Sequence, residues 1–311
     1  MSQLSKGYTI AIIGIVIWST TGILIDYLIN TYHMPALLLA FWRNVLVCAA
    51  MLPALFLIRR SLLHMHRTQI KFYVFYGLIL ALFNTIWVLS VQANGAAVGT
   101  VLAYSSSGFT AIFAWWIFRE QLRLPKIVAI ILSLTGCVLV SNAYDPAMWN
   151  VNPLAILTGL ASGVLFAAYN MMGKEAAKRS INPWTSLLYS FAFGSIFTLI
   201  FNLISIGRSG ESLQAIVPTL SLNGWLILAV LSFIPTILGF GLYNTSMNYL
   251  PASTASLLAS TEPAMTAVEA YIFLNERMTI VQIAGSLIIL VAVVIARFEK
   301  EAESDLVTTV T

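Results

Sequence analysis

The chain is predicted to be an all-α integral membrane protein, with ten transmembrane helices arranged as two inverted-topology five-helix repeats. Three observations predict this. The 311 residues are 59% hydrophobic and 9% charged, with mean hydropathy +0.88, which is too little charge to cover a water-soluble surface of this size. The apolar residues fall into continuous runs, close to the ~20 residues a helix needs to cross a bilayer. Barrel strands would instead alternate polar and apolar residues over about 10 positions. Finally, residues 97–123 and 253–279 repeat at a constant offset: Leu102, Ala103, Thr110, Ala111, Ala114 and Glu120 recur as Leu258, Ala259, Thr266, Ala267, Ala270 and Glu276.

In chain order the predicted spans are 8–29, 35–58, 70–92, 97–118, 125–142, 152–173, 183–205, 223–246, 252–274 and 279–297. The first apolar run follows Lys6 and is too long for the core of a cleavable signal, so it reads as a span. Spans eight and nine contain Pro235 and Pro263; irregular backbone inside a membrane is tolerated where it lines a cavity or is buried in protein. Gly95/Gly99 and Gly159/Gly163 have the GxxxG spacing that lets helices approach closely, and are read as packing. Cys48 and Cys137 are isolated within spans and make no disulfide framework. The loops are short. The halves divide at Asp145–Pro146, giving one repeat over 1–145, a second over 146–298, and a charged tail, 299–311, read as disordered and cytoplasmic.

Charge distribution sets the orientation. With the amino terminus in the cytoplasm, the basic residues Lys6, Arg59, Arg60, Arg67, Lys71, Arg119, Arg123, Lys126, Lys174, Lys178, Arg179, Arg297 and Lys300 fall inside, whereas only Arg208 and Arg277 fall outside. This positive-inside pattern puts both termini in the cytoplasm of a cell-membrane protein. The same charges are scattered over separate short loops, which argues against a nucleic-acid surface. Five spans per half is an odd number, so the second half begins on the opposite face. Glu120 then ends span four inside, and Glu276 ends span nine outside. In the front of each half Trp18 lies over Phe166 and Pro35 over Pro183; in the third spans Trp87 lies over Tyr243. Inverted repeats of this kind are a common transporter plan.

Trp18 in VIWSTTG, Arg43 in LLLAFWRNVLV, the Glu262–Pro263 pair and the helix-ending FREQL and LNERM resemble the drug/metabolite transporter superfamily, specifically its ten-span EamA branch. The resemblance covers almost the whole chain. It implies two bundles around a central cavity that opens alternately on each side. The implied activity is transport of a small organic solute such as an amino acid or related metabolite, mostly by export, without an ATP site or other cofactor. Some members take up solutes such as choline. Three departures from the family pattern stand out: Ser107 replaces a Pro, so the span-four kink is expected to be lost or shifted; Arg119 and Asn275 replace Gly; Glu269 replaces a small or apolar residue.

The candidate site residues are the costly ones. An acidic group at mid-span costs about 2.5–3.5 kcal/mol on insertion scales. Glu262 and Glu269 are seven apart on span nine, nearly two turns and about 10 Å, with Thr266 between them. This stripe is expected to line the solute path. Either carboxylate can carry a coupling proton or balance a cationic solute group. The structural alternative is that Glu262 caps backbone freed by Pro263, or that either pairs with Arg43. Arg43 itself has three readings: binding a solute carboxylate, snorkelling, or packing. Trp18, Trp87, Tyr104, Phe166, Tyr169 and Tyr243 sit near mid-span as a candidate aromatic cage, suited to an apolar solute or a quaternary amine. Asn84, Asn170 and Asn244 contact solute or bond neighbouring helices. Trp115, Trp116, Trp149 and Trp184 read as interfacial belt residues. His64 and His66 read as a solvated loop, so no metal site is expected. The sequence has no HExxH and no phosphate-binding GxxxxGK[ST], which disfavours a membrane enzyme. Its short loops disfavour a receptor. The expected partners are a solute, lipid and, with coupling, protons.

Overall fold

The computed structural model describes residues 2–94, 96–148, 153–210, 212–274 and 277–310. Gly95, Trp149, Asn275 and Glu276 lie outside the described residues. Within these, the regular structure is helical: α1 (Gln3–Tyr32), α2 (Ala36–Ile58), α3 (Ile70–Asn94), α4 (Ala96–Tyr104), α5 (Ser106–Phe118), α6 (Leu124–Val140), α7 (Pro153–Lys178), α8 (Pro183–Ser209), α9 (Leu222–Leu231), α10 (Gly241–Ser246), α11 (Ala252–Ala259), α12 (Glu262–Leu274) and α13 (Ile280–Val310). Ser2, Asn182 and Ser221 start helices by accepting backbone N–H groups with their side chains. Left-handed residues end them: His33 at φ 51°, Arg119 at φ 59° and Gly210 at φ 72°.

Eight helical stretches among the described residues are long and apolar enough to cross a membrane. Two predicted spans are not among them. The span at 125–142 is the 17-residue α6. The span at 252–274 is divided at Ser260–Thr261 into α11 and α12. Between α9 and α10 the chain winds as a π-helix over Ser232–Phe240. Pro235 lies within it; a proline ring removes one donor and clashes with the preceding turn, which a wider turn relieves. Thr236 Oγ1 donates to Leu231 O at 2.8 Å, five residues back. α13 continues to Val310, through the stretch read from sequence as a disordered tail; the Glu-Lys-Glu-Ala-Glu run that follows Phe298 has good helix propensity.

The outer surface is apolar, with Leu57, Ile58 and Trp116 at 81%, 80% and 69% exposure, while Ser19, Asn44, Ser90, Thr110 and Asn170 are fully buried. Lipid tails are as apolar as leucine, so close packing and interhelical hydrogen bonds hold such helices together. Gly159 and Gly163 press α7 onto α4: a Cβ on Gly163 would lie 3.0 Å from Leu102 O and 3.3 Å from Ala103 O. Asn202 Nδ2 of α8 donates to Leu37 O of α2 at 3.1 Å. Gln282 Nε2 of α13 donates to Val140 O of α6 at 3.2 Å.

Candidate solute-binding site

The breaks in the two divided helices meet inside the bundle. Tyr104 closes α4, Glu262 opens α12, and the Tyr104 hydroxyl donates to Glu262 Oε2. A carboxylate on the first turn of a helix faces the positive end of the helix dipole. This contact borders a cavity of about 370 Å³. Its wall takes Trp18 and Thr21 from α1, Arg43 from α2, Phe83, Asn84 and Trp87 from α3, Thr100 and Tyr104 from α4, Phe166 from α7, Phe240 from the π segment, and Glu262 and Thr266 from α12. Gly22, Ile25, Arg43, Asn84, Trp87 and Thr100 also line a second, larger space of about 580 Å³ that reaches the α1–α2 loop at His33–Ala36. The inner cavity therefore continues into a vestibule at that end.

The other end is filled. Trp18 packs its ring on Phe240 at 4.5 Å, on Tyr243 at 5.5 Å and edge-on to Phe166 at 5.8 Å. The π turn supports this contact, because Gly239 has no side chain where a Cβ would lie 2.9 Å from Trp18 Cβ. Behind Trp18, Tyr243 OH donates to Asn170 Oδ1 at 3.0 Å, and Asn170 Nδ2 donates to Ser256 Oγ at 3.1 Å. Asn244 Nδ2 donates to Tyr169 OH at 3.2 Å, and the Tyr169 ring packs on Tyr76 at 4.9 Å, tilted by 45°. Near this end Lys174 Nζ donates to Met247 O and Leu250 O at 2.8 and 2.7 Å. The Glu120 carboxylate accepts the Ala252 N–H at 2.8 Å, capping α11 across the two halves.

Of the residues predicted from sequence, Trp18, Arg43, Trp87, Tyr104, Phe166, Glu262 and Thr266 share the cavity wall. Tyr169, Tyr243 and Asn244 lie behind it in the hydrogen-bonded layer. Glu269 also leaves the wall: it is 8% exposed, accepts from Ser19 Oγ at 2.7 Å through Oε1, and Oε2 has no protein partner. Thr266 Oγ1 donates to Ser19 O at 3.0 Å, so α1 crosses α12 there and covers its second turn. Neither carboxylate pairs with Arg43, since the one ion pair among the described residues joins Arg179 to Glu175. Arg43 Nη2 instead donates to Asn84 Oδ1 at 3.1 Å. Phe83, Thr100 and Phe240 are wall residues the sequence reading missed. For Phe240 the one available signal was Pro235, five residues earlier.

The chain matches the EamA-like transporter family over residues 5–142 and 153–298. It is 26% identical over 229 residues to an uncharacterized transporter of Synechocystis sp., covering 73% of this chain and 67% of that protein. It is 23% identical over 297 residues to a probable amino-acid metabolite efflux pump of Escherichia coli, covering 94% and 95% of the two chains. A solved crystal structure shares the fold with TM-score 0.77 at 15% identity, covering 94% of this chain and 96% of the other. With two matched segments spanning nearly its whole length, the chain belongs to the EamA family of the drug/metabolite transporter superfamily, and is a membrane transporter rather than an enzyme.

Proposed function

We propose that the protein is a secondary carrier that moves an amino acid or related metabolite across the cytoplasmic membrane by alternating access, with export as its physiological direction. One observation carries this reading: a cavity with a carboxylate at the meeting point of two broken helices, open at one end and packed shut at the other. Broken helices at a mid-membrane cavity are a recurrent carrier design. On this reading α6 and the α11–α12 pair complete ten crossings in two inverted repeats, and α6 is a short crossing. The positive-inside charge pattern favours cytoplasmic termini, which makes the α1–α2 loop exterior and the present conformation outward-facing. Glu262 receives the amino group of the solute, while Trp18, Trp87 and Phe166 contact its apolar part. Glu269, enclosed against Ser19, is the candidate carrier of a coupling proton. The naming of the E. coli relative as a probable efflux pump supports export.

A second reading, carriage of a quaternary amine such as choline, is favoured by the same aromatic wall beside Glu262. Counterflow in proteoliposomes separates the two. Labelled amino acids and choline are followed with and without an imposed pH gradient, in the natural protein and in Glu262→Gln and Glu269→Gln. Saturable amino-acid exchange that Glu262→Gln lowers by at least about tenfold supports the first reading, and choline exchange alone supports the second. A gradient response lost only in Glu269→Gln assigns the proton to that residue. Absence of any exchange by folded protein overturns both solute readings.

A further inference from the structure

Three buried donors, on residues that border the cavity, have no partner within the protein. Arg43 Nε, Asn84 Nδ2 and Thr21 Oγ1 are all unbonded, and the three residues are only 6%, 6% and 8% exposed. Leaving a buried donor unbonded is costly, and more so on a charged group. Arg43 is also a buried cation with no carboxylate within ion-pair distance among the described residues, an expensive arrangement inside a membrane. The Arg43–Asn84 bond explains part of the geometry: a guanidinium has only donors, so it must take the amide oxygen of Asn84, which leaves the amide N–H₂ free. Arg43 and Asn84 line both the inner cavity and the vestibule, and Thr21 lines the inner cavity. The three residues thus border the inner cavity together with Glu262, with Arg43 and Asn84 at its throat.

We propose that Arg43, Asn84 and Thr21 form a carboxylate-binding subsite, so that the solute carries a free carboxylate as well as the amino group received by Glu262. A carboxylate supplies the missing negative charge and has about four lone-pair positions for these donors. The bound solute then has a fixed polarity, carboxylate at the throat and ammonium at the junction of the broken helices. This rests on the amino-acid carrier reading above, and it sets the subsite against a quaternary amine, which leaves Arg43 uncompensated.

The test uses the full chain in proteoliposomes with matched solutes: L-phenylalanine, L-leucine and L-threonine, each beside its amide and its decarboxylated amine. The acids are expected to exchange at least about tenfold better than their amides and amines, the size expected of a hydrogen-bonded charge. Arg43→Gln is expected to bring acid and amide within about twofold of each other, and Arg43→Lys to restore part of the preference. Thr21→Val, nearly isosteric, is expected to slow the acids alone, and remains informative if the Arg43 variants fail to fold. Amides or amines that exchange as well as the acids overturn the subsite but leave the carrier reading standing. An acid preference unchanged in both Thr21→Val and folded Arg43→Gln also overturns it. Failure of every solute to exchange overturns the carrier reading and the subsite with it.

Discussion

The two broken helices come from the repeated segments of the chain, yet they break by different means. In α11–α12 the interruption spans Ser260 and Thr261, and the second residue of the next helix is Pro263, which cannot donate a backbone hydrogen bond. In α4–α5 the corresponding stretch has Ser107 in place of a proline, and the helix still breaks, at the single residue Ser105. The shared feature is a set of hydroxyls turned back onto helix carbonyls. Ser105 Oγ donates to Leu102 O at 2.5 Å and Ser107 Oγ to Tyr104 O at 3.1 Å, while Ser260 Oγ and Thr261 Oγ1 donate to Leu257 O and Leu258 O at 2.6 and 2.8 Å. Such bonds compete with the regular ladder. The first break is also held by Gly163 of α7, which lets the Ser105 turn approach closely. A proline is thus one way to open the helix, and local hydroxyls with a close neighbour are another. What differs is the cargo of the break: the second presents Glu262, where the first presents the fully buried Ser106 at the matching position.

The largest expected effect exploits that asymmetry. Glu262→Gln should lower amino-acid counterflow by about 10- to 100-fold, the worth of a charged hydrogen bond, whereas Ser106→Ala should leave it within about twofold. Equal losses would mean that both breaks serve the solute alike. Next, Gly163→Val should destabilise the first break by about 1–3 kcal/mol through overpacking. It would show as a lower Tm in detergent, and an unchanged Tm would mean that α7 does not hold the Ser105 turn. Tyr104→Phe removes the bond that joins the two breaks and should cost about fivefold in solute affinity, from roughly 1 kcal/mol for one hydrogen bond; an unaltered affinity dissociates Tyr104 from the site. The smallest effect concerns the helix end after the first break. Arg119 adopts φ 59°, a conformation that costs a non-glycine residue about 1–2 kcal/mol. Arg119→Gly should raise Tm by a few degrees without changing transport, and a lower Tm would mean that the arginine side chain stabilises that end more than its backbone strains it.

Much of the candidate site was legible because intramembrane charge and mid-span aromatics are costly or unusual wherever they occur. Arg43, Glu262, Trp18, Tyr104 and Phe166 could be found on that ground alone, and all five border the cavity. The glycine pair at 159 and 163 was read as packing from its spacing, and both residues do face α4. Glu269 shows where such reading stops. A seven-residue separation places two side chains on the same side of an ideal helix, but it says nothing about which neighbour crosses that side. Here α1 covers the lower turn, so Glu262 borders open space while Glu269 meets Ser19. Phe240 was missed for a related reason: a π turn shifts the register of every residue after it, and periodicity assumes that no such shift occurs.

Residue order is enough to make the chain a membrane-embedded helical transporter, because apolar run length, charge placement and the repeated segments act through the bilayer as a solvent. Pro235 and Pro263 also marked two of the interruptions to within a few residues, because a proline acts locally on the helix ladder. Which interruptions meet, which end of the cavity is filled and which carboxylate borders it are set by the packing of the folded bundle. Those outcomes depend on how helices distant in the chain cross one another, and that is set by close packing at positions such as Gly163 and Gly239 rather than by any periodic pattern.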